Sequence, residues 1–211
     1  MNKLILTGAM ALAAVMHGVA AEKTLFKTDF SDGEIGKVPD TLMILDGGFG
    51  VVDVGGNKVL ELPGAPLDTF GALFGPAGTT NMAVSAKIHG TIKGRRGPTF
   101  GVGLNGVAGH KLMIAPMKKA LEIRKEDSVV ATVPFDWKSG SWTSLKLQLI
   151  EVKPGTWKLE GKAWSGADEP KDWQVSTETT TAPSSGKASV WGNPFAGTPI
   201  QFDDVGVSEV K

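Results

Sequence analysis

Apolar and polar residues alternate with period two again and again in this chain, and no useful length after residue 21 has helical periodicity. In Val84-Ser85-Ala86-Lys87-Ile88-His89-Gly90-Thr91-Ile92 the even positions are apolar or small and the odd ones polar. Between Trp142 and Leu149, Thr143, Leu145, Leu147 and Leu149 share one side, with Ser144, Lys146 and Gln148 opposite. Trp157, Leu159 and Ala163 alternate with Lys158, Glu160 and Lys162. A strand with this pattern turns one face to a core and the other to water. Weaker strand segments fall at 24–30, 42–45, 49–54, 58–62, 72–74, 99–104, 111–114, 120–124, 129–133, 174–179, 187–191 and 200–207. Turn chemistry divides them at Asp46-Gly47-Gly48, Gly55-Gly56-Asn57, Asn105-Gly106, Glu126-Asp127 and Lys153-Pro154-Gly155. Short strands at a spacing of roughly 8–12 residues, polar on the outside, pack as antiparallel sheets. The fold class is all-β: an antiparallel two-sheet β-sandwich.

Composition narrows the function. The 22 Lys+Arg balance 22 Asp+Glu, so the basic excess of a nucleic-acid binder is missing. Zero Cys excludes disulfides, zinc-thiolate sites, Fe–S clusters, thiol nucleophiles and a lipid-modified N-terminal cysteine. Residues 1–21 read as a secretory signal: Lys3, an uncharged, mostly apolar run over 4–16, then Val19-Ala20-Ala21 at the cleavage position. That run is too short for a membrane span, which takes about 20 apolar residues. The expectation is one exported domain, residues 22–211, without a stable membrane span after cleavage. It would reside in a periplasm, on a cell surface or outside the cell. The Thr/Ser-rich stretch 177–185 reads as a solvated loop, and no internal repeat suggests a solenoid or propeller.

Two stretches resemble a known superfamily. Phe135-Asp136-Trp137-Lys138-Ser139-Gly140-Ser141-Trp142-Thr143-Ser144-Leu145-Lys146-Leu147 resembles the entry into a long strand in concanavalin A-like jelly rolls. Gly161-Lys162-Ala163-Trp164-Ser165-Gly166-Ala167-Asp168-Glu169-Pro170-Lys171-Asp172-Trp173 resembles a loop of bacterial laminin-G-like and laminarinase-like members. Thr28-Asp29-Phe30-Ser31-Asp32-Gly33 and Phe202-Asp203-Asp204-Val205-Gly206-Val207 are similar to the family's first and last strands, which pair side by side. The resemblance covers nearly all of residues 24–209. It implies a concanavalin A-like jelly roll, a fold that hosts lectins, glycanases and adhesion modules alike.

Chemistry of the glycanase kind finds no motif. A retaining glycosidase needs two carboxyls roughly 5–5.5 Å apart, one ionised and one protonated. The laminarinase-like branch supplies them through Glu-x-Asp-x-x-Glu. The nearest run here, Glu122-Ile123-Arg124-Lys125-Glu126-Asp127, puts Arg and Lys in the middle and reads as a solvated hairpin tip. No Gly-x-Ser-x-Gly elbow serves His89 or His110, and both read as solvated, with His89 on a polar face beside Lys87 as a candidate ligand contact. The glycines of Gly101-Val102-Gly103-Leu104-Asn105-Gly106 precede no helix and so lack a phosphate-binding mechanism.

Tryptophan says more: five of the six lie between residues 137 and 173, and aromatic faces stack on the C–H side of sugar rings. Trp157 shares the parity of Leu159 and faces the core, while Trp137, Trp142 and Trp173 flank turns as packing elements. Trp164 and Trp191 have polar-face parity and are candidates for a glycan platform, or else rim residues covering the sandwich edge. Arg95-Arg96 sits in a loop where both guanidiniums can reach one face, and Gly101 and Gly103 leave room there for a ligand or a close neighbour. In the last strand, Phe202, Val205 and Val207 cannot all face inward by strict alternation, so a bulge at Asp203-Asp204 is expected. Asp203 or Asp204 would then hold a structural Ca2+, which the resemblance allows near the paired terminal strands, or bond backbone N–H groups with no metal. The expected function is an exported, non-catalytic carbohydrate- or glycoconjugate-binding β-sandwich, with a glycan as partner. The alternatives are a glycoside-active enzyme with an unrecognised site, and a cell-surface structural or adhesion module contacting protein.

Overall fold

The computed structural model describes residues 22–64, 68–194 and 197–211; the expected leader lies outside the described residues. The first strands are β1 (Lys23–Thr28), β2 (Leu42–Asp46), β3 (Gly50–Val54), β4 (Asn57–Leu62) and β5 (Phe70–Gly78). Next come β6 (Met82–His89), β7 (Thr99–Leu104), β8 (His110–Ala115), β9 (Ala120–Lys125) and β10 (Ser128–Pro134). The last are β11 (Thr143–Lys153), β12 (Thr156–Ser165), β13 (Val175–Thr179), β14 (Gly186–Asn193) and β15 (Ile200–Glu209). Every expected segment forms a strand. Two segments end at least two residues before their expected ends: β1 stops at Thr28 rather than 30, and β6 stops at His89 rather than 92, because the 138–141 loop takes over the backbone beyond it. Gly140 N donates to Gly90 O (2.9 Å), and Ile92 N to Ser139 Oγ (2.8 Å).

An eight-stranded sheet has the order β13-β12-β11-β6-β15-β4-β3, with β1 also on β15. A seven-stranded sheet has the order β10-β9-β8-β7-β14-β5-β2. All pairings between these strands are antiparallel. The chain's ends meet as the resemblance implies: β1 pairs with the second half of β15, while β4 takes residues 200–202 on the same edge. Glu126, with φ of 53°, turns β9 into β10, so residues 126–127 are the expected hairpin tip.

The core fills the space between the sheets. Phe74, Phe100, Leu112, Ile114, Leu121 and Ile123 come from one sheet, and Leu60, Ile88, Leu145, Leu147 and Phe202 from the other; all are fully buried. Gly161 lets the layers approach, because a side chain there would strike Leu112 of the facing sheet. Trp137 plugs the crossing from β10 to β11. It meets Phe100 edge-on at 5.4 Å and donates from Nε1 to Thr143 Oγ1 (3.1 Å).

His110 corrects an expectation. It is buried rather than solvated, because β8 begins one residue earlier than expected and His110 takes the inward parity of Leu112 and Ile114. Burial, reinforced by the charge of Lys125 opposite, pushes its pKa down to about 4. The unfolded chain's imidazole protonates near 6.5, so between there and pH 4 the unfolded state binds the extra proton. Stability should therefore fall as pH drops from about 6.5 to about 4. Discounted for the ring's partial solvent contact, the loss is on the order of 1–2 kcal/mol. Urea midpoints across pH 4–7 should show this slope in the wild type and a flatter one in His110→Gln; equal slopes would assign it to other groups.

Candidate functional site

The outer face of the eight-stranded sheet is built from the polar parity of neighbouring strands. β6 contributes Ser85, Lys87 and His89, β11 contributes Ser144 and Lys146, and β12 contributes Lys162 and Trp164. Cross-strand register sets Ser144 between Lys87 and Trp164, and Lys146 between Ser85 and Lys162. Short side chains in the middle and long ones around them leave a cleft of about 320 Å³, walled by Trp164 and edged by Glu22, Lys87, Lys146, Glu169, Asp204 and Ser208. A second hollow of about 310 Å³ shares Lys87 and Ser144 with it and runs on to Trp142, Gly166, Asn57 and Asp203. The two make one groove with a tryptophan in each part.

The charges in this groove are paired. Lys87 Nζ lies 2.7 Å from Asp204, whose hydrogen bond raises the lysine pKa; Lys146 lies 2.6 Å from Glu22 and 3.3 Å from Glu169. Lys162, almost wholly buried, reaches Glu169 at 2.8 Å, donates to Pro170 O at 2.7 Å and sits 4.5 Å from the Trp173 ring centroid. Those contacts explain the Glu-Pro…Trp loop, since Glu169, Pro170 and Trp173 each clasp one buried ammonium. Burial opposes ionisation of Glu169, but the hydrogen bond from Lys162 and the charges of Lys146 and Lys162 hold its carboxyl below the usual range. Ser208 Oγ donates to Glu22 (3.0 Å), tying the start of the described chain to its last strand.

The expected bulge is present. Asp203 pairs with Lys87 and Gly206 with Ser85, so three steps on β15 face two on β6, and Asp204 takes φ of 46°. Phe202, Val205 and Val207 are all buried as a result. Asp204 is engaged by Lys87 and, at 3.9 Å, by Lys27; Asp203 accepts from Asn57 Nδ2 (3.0 Å) and from the Asp204 N–H (2.7 Å). Protein cations and N–H groups thus occupy these carboxylates. Among the described residues, no group of three or more His, Cys, Asp or Glu could hold a metal ion.

The other candidates divide between places. His89 stacks against Trp142 with ring centroids 5.4 Å apart, beside the second hollow. Arg95 and Arg96 are exposed in the β6–β7 loop, in a turn closed by Lys93 N to Arg96 O (3.0 Å). Trp191 points outward from the seven-stranded sheet, on the far side of the sandwich from Trp164, yet is only 5% exposed. The room that Gly101 and Gly103 leave is filled from within the protein. A side chain at Gly103 would meet Ser189 Oγ at 2.6 Å and Trp191 Nε1 at 3.0 Å, and one at Gly101 would meet Met113 Sδ at 2.7 Å. Sequence reasoning missed Lys87, Lys146 and Lys162 as a set, although they share outward parity on adjacent strands. Their partners Glu22 and Glu169 come from a terminus and a loop, where no periodicity marks them.

This architecture is an antiparallel two-sheet β-sandwich with the concanavalin A-like jelly-roll fold. No protein-family model and no curated protein sequence matches the chain. Among solved structures, it is similar to the carbohydrate-binding module CBM66 from Bacillus subtilis (TM-score 0.53, 11% identity, 79% of this chain and 94% of that one). It is also similar to the Emp47p carbohydrate recognition domain (TM-score 0.57, 9% identity, 90% and 97%). A third is a Bacillus subtilis protein of unknown function with a galectin-like fold (TM-score 0.57, 11% identity, 91% and 100%). At these identities the likeness is one of fold.

Proposed function

We propose that the chain is an exported, non-catalytic carbohydrate-binding β-sandwich that takes a glycan in the groove on its eight-stranded sheet. The half-buried Trp164 ring, standing in a cleft whose charges neutralise one another, carries this reading. A tryptophan face suits the apolar side of a sugar ring, while fixed ion pairs offer directional donors and acceptors to hydroxyls without favouring a charged ligand. Serine and glycine on the floor leave space for the ring to approach. The neighbours named as a carbohydrate-binding module and a carbohydrate recognition domain support the same class. The cleft's carboxylates argue against hydrolysis. Lys162 and Lys146 hold the Glu169 carboxyl below the usual range, whereas a glycosidase acid must stay protonated.

A glycan-array screen of residues 22–211, followed by calorimetry on the hits, tests the proposal. Trp164→Ala should weaken binding by about 1–3 kcal/mol, roughly 5- to 150-fold, with the fold intact. Unchanged affinity would place the glycan elsewhere, and release of reducing ends from a hit would replace a binding module with an enzyme.

A further inference from the structure

The cleft that holds Trp164 does not end at the edge of its sheet. It crosses five neighbouring strands, from Trp164 on β12 past Ser144 and Ser85 to Gly206 on β15 and Lys27 on β1. At Phe26 and Lys27 it meets a third hollow of about 440 Å³, which lies against the segment joining β1 to β2. Half-buried Phe26, Val38 and Pro39 give this hollow apolar surface, and Thr28, Asp32 and Asp40 add a hydroxyl and carboxylates.

The hollow has a fixed wall. Residues 29–41 are fastened to β3 and β4: Gly36 N donates to Val51 O (2.8 Å), Val51 N to Lys37 O (2.9 Å) and Lys58 Nζ to Gly33 O (2.9 Å). Phe30 pins the segment from within. Its ring is 2% exposed, and its left-handed backbone, with φ of 60°, is steadied by a bond from its N–H to Thr28 Oγ1 (3.1 Å). The cations beside the hollow are engaged, Lys37 with Glu34 (2.8 Å) and Lys27 with Asp204 (3.9 Å). Asp32 and Asp40 are exposed and make no ion pair among the described residues, so their oxygens can accept from hydroxyls. Apolar surface next to hydroxyl acceptors matches a sugar ring, with its C–H face and its hydroxyl edge.

We infer that this third hollow is a distal subsite, through which the protein binds extended neutral polysaccharide chains and selects them by length. The inference rests on the glycan site proposed around Trp164 and extends it. From β12 to β1 there are four strand spacings, about 19 Å in all, and a hexose unit advances an extended chain by about one spacing. About four units therefore fill the cleft, and only a fifth and sixth reach the hollow. Because residues 29–41 are already held in place, the added units gain contacts without ordering the protein.

Residues 22–211 can be titrated by calorimetry with cello-, laminari-, manno- and xylo-oligosaccharides of graded length. For at least one ladder, affinity should rise about tenfold or more from the tetrasaccharide to the hexasaccharide and then level off. Asp32→Ala combined with Asp40→Ala alters two exposed positions, and Val38→Gln puts an amide into the apolar lining. Both variants should bring the hexasaccharide down toward the affinity of the tetrasaccharide and leave the tetrasaccharide as in wild type. Trp164→Ala should weaken every length by one common factor. Affinity that stops rising at the tetrasaccharide, or no binding by any ladder, overturns the inference. So do variants that bind the hexasaccharide like wild type, or that lose both lengths equally. A flat ladder that Trp164→Ala still weakens overturns the inference alone. Indifference to Trp164→Ala at every length overturns the glycan site, and the inference with it.

Discussion

Replacing Trp191 with alanine should destabilise the protein by about 3–5 kcal/mol, whereas Trp164→Ala should cost about 1 kcal/mol or less. Both rings stand on outward positions of a strand, and each shares its parity with polar residues. The difference lies in their neighbours. Trp191 is flanked by glycines on both adjoining strands, anchored through Nε1 to Ser189 and covered by Lys111, so it packs like a core residue although it lies outside the sandwich. Its removal opens a void that the rigid glycine-bearing strands cannot collapse to fill. Trp164 borders open cleft, and its loss exposes little that is not already wet. Equilibrium urea unfolding of both variants checks this. If Trp191→Ala unfolds at the wild-type midpoint, the ring contributes nothing to the fold and the glycine trough must be held some other way.

The same pair of residues shows what alternation can convey. Parity along one strand says which side of a sheet a residue occupies, and it was right for Trp164, Trp191, Lys87 and Lys146. Exposure on that side depends on what the adjoining strands place beside the residue, which register alone decides. Gly71, Gly101 and Gly103 come from β5 and β7, and nothing local shows that they flank β14. His110 failed for a smaller reason. Its place in the series His110, Leu112, Ile114 was visible, and only the assumed start of the strand hid it. The groove's acids were beyond reach altogether: Glu22 and Glu169 meet Lys146 across 124 and 23 residues of chain. The bulge was legible because it broke a rule. Phe202, Val205 and Val207 could not all be inward unless one residue fell out of register, and the acidic pair was the place where that could happen without burying charge.

That rule yields a sharper result, in which deleting one residue from a central strand is mild and deleting two is severe. Removing Asp204 alone leaves Phe202, Asp203, Val205, Gly206 and Val207 in strict alternation. Gly206 can still face Ser85, and the three apolar residues still face inward. The losses are the partly exposed pairings with Lys87 and Lys27, worth about 0–1 kcal/mol each. The gain is relief of a left-handed, non-glycine residue, about 1 kcal/mol. Stability should therefore stay within about 2 kcal/mol of wild type. Removing Asp203 and Asp204 together reverses the parity of everything after Phe202 and turns Val205 and Val207 to solvent. At about 1.5–3 kcal/mol for each buried valine, the loss is roughly 3–6 kcal/mol, much of the 5–15 kcal/mol that typically holds a domain folded. Urea midpoints of the two deletions decide it; equal losses would mean that the bulge itself, and not parity, holds β15 in the sheet. If the single deletion is tolerated, the strained residue is retained for something other than stability. Its carboxylate is the group that pairs Lys87 at the edge of the cleft, so the array hit should bind the single-deletion protein more weakly while its unfolding midpoint hardly moves.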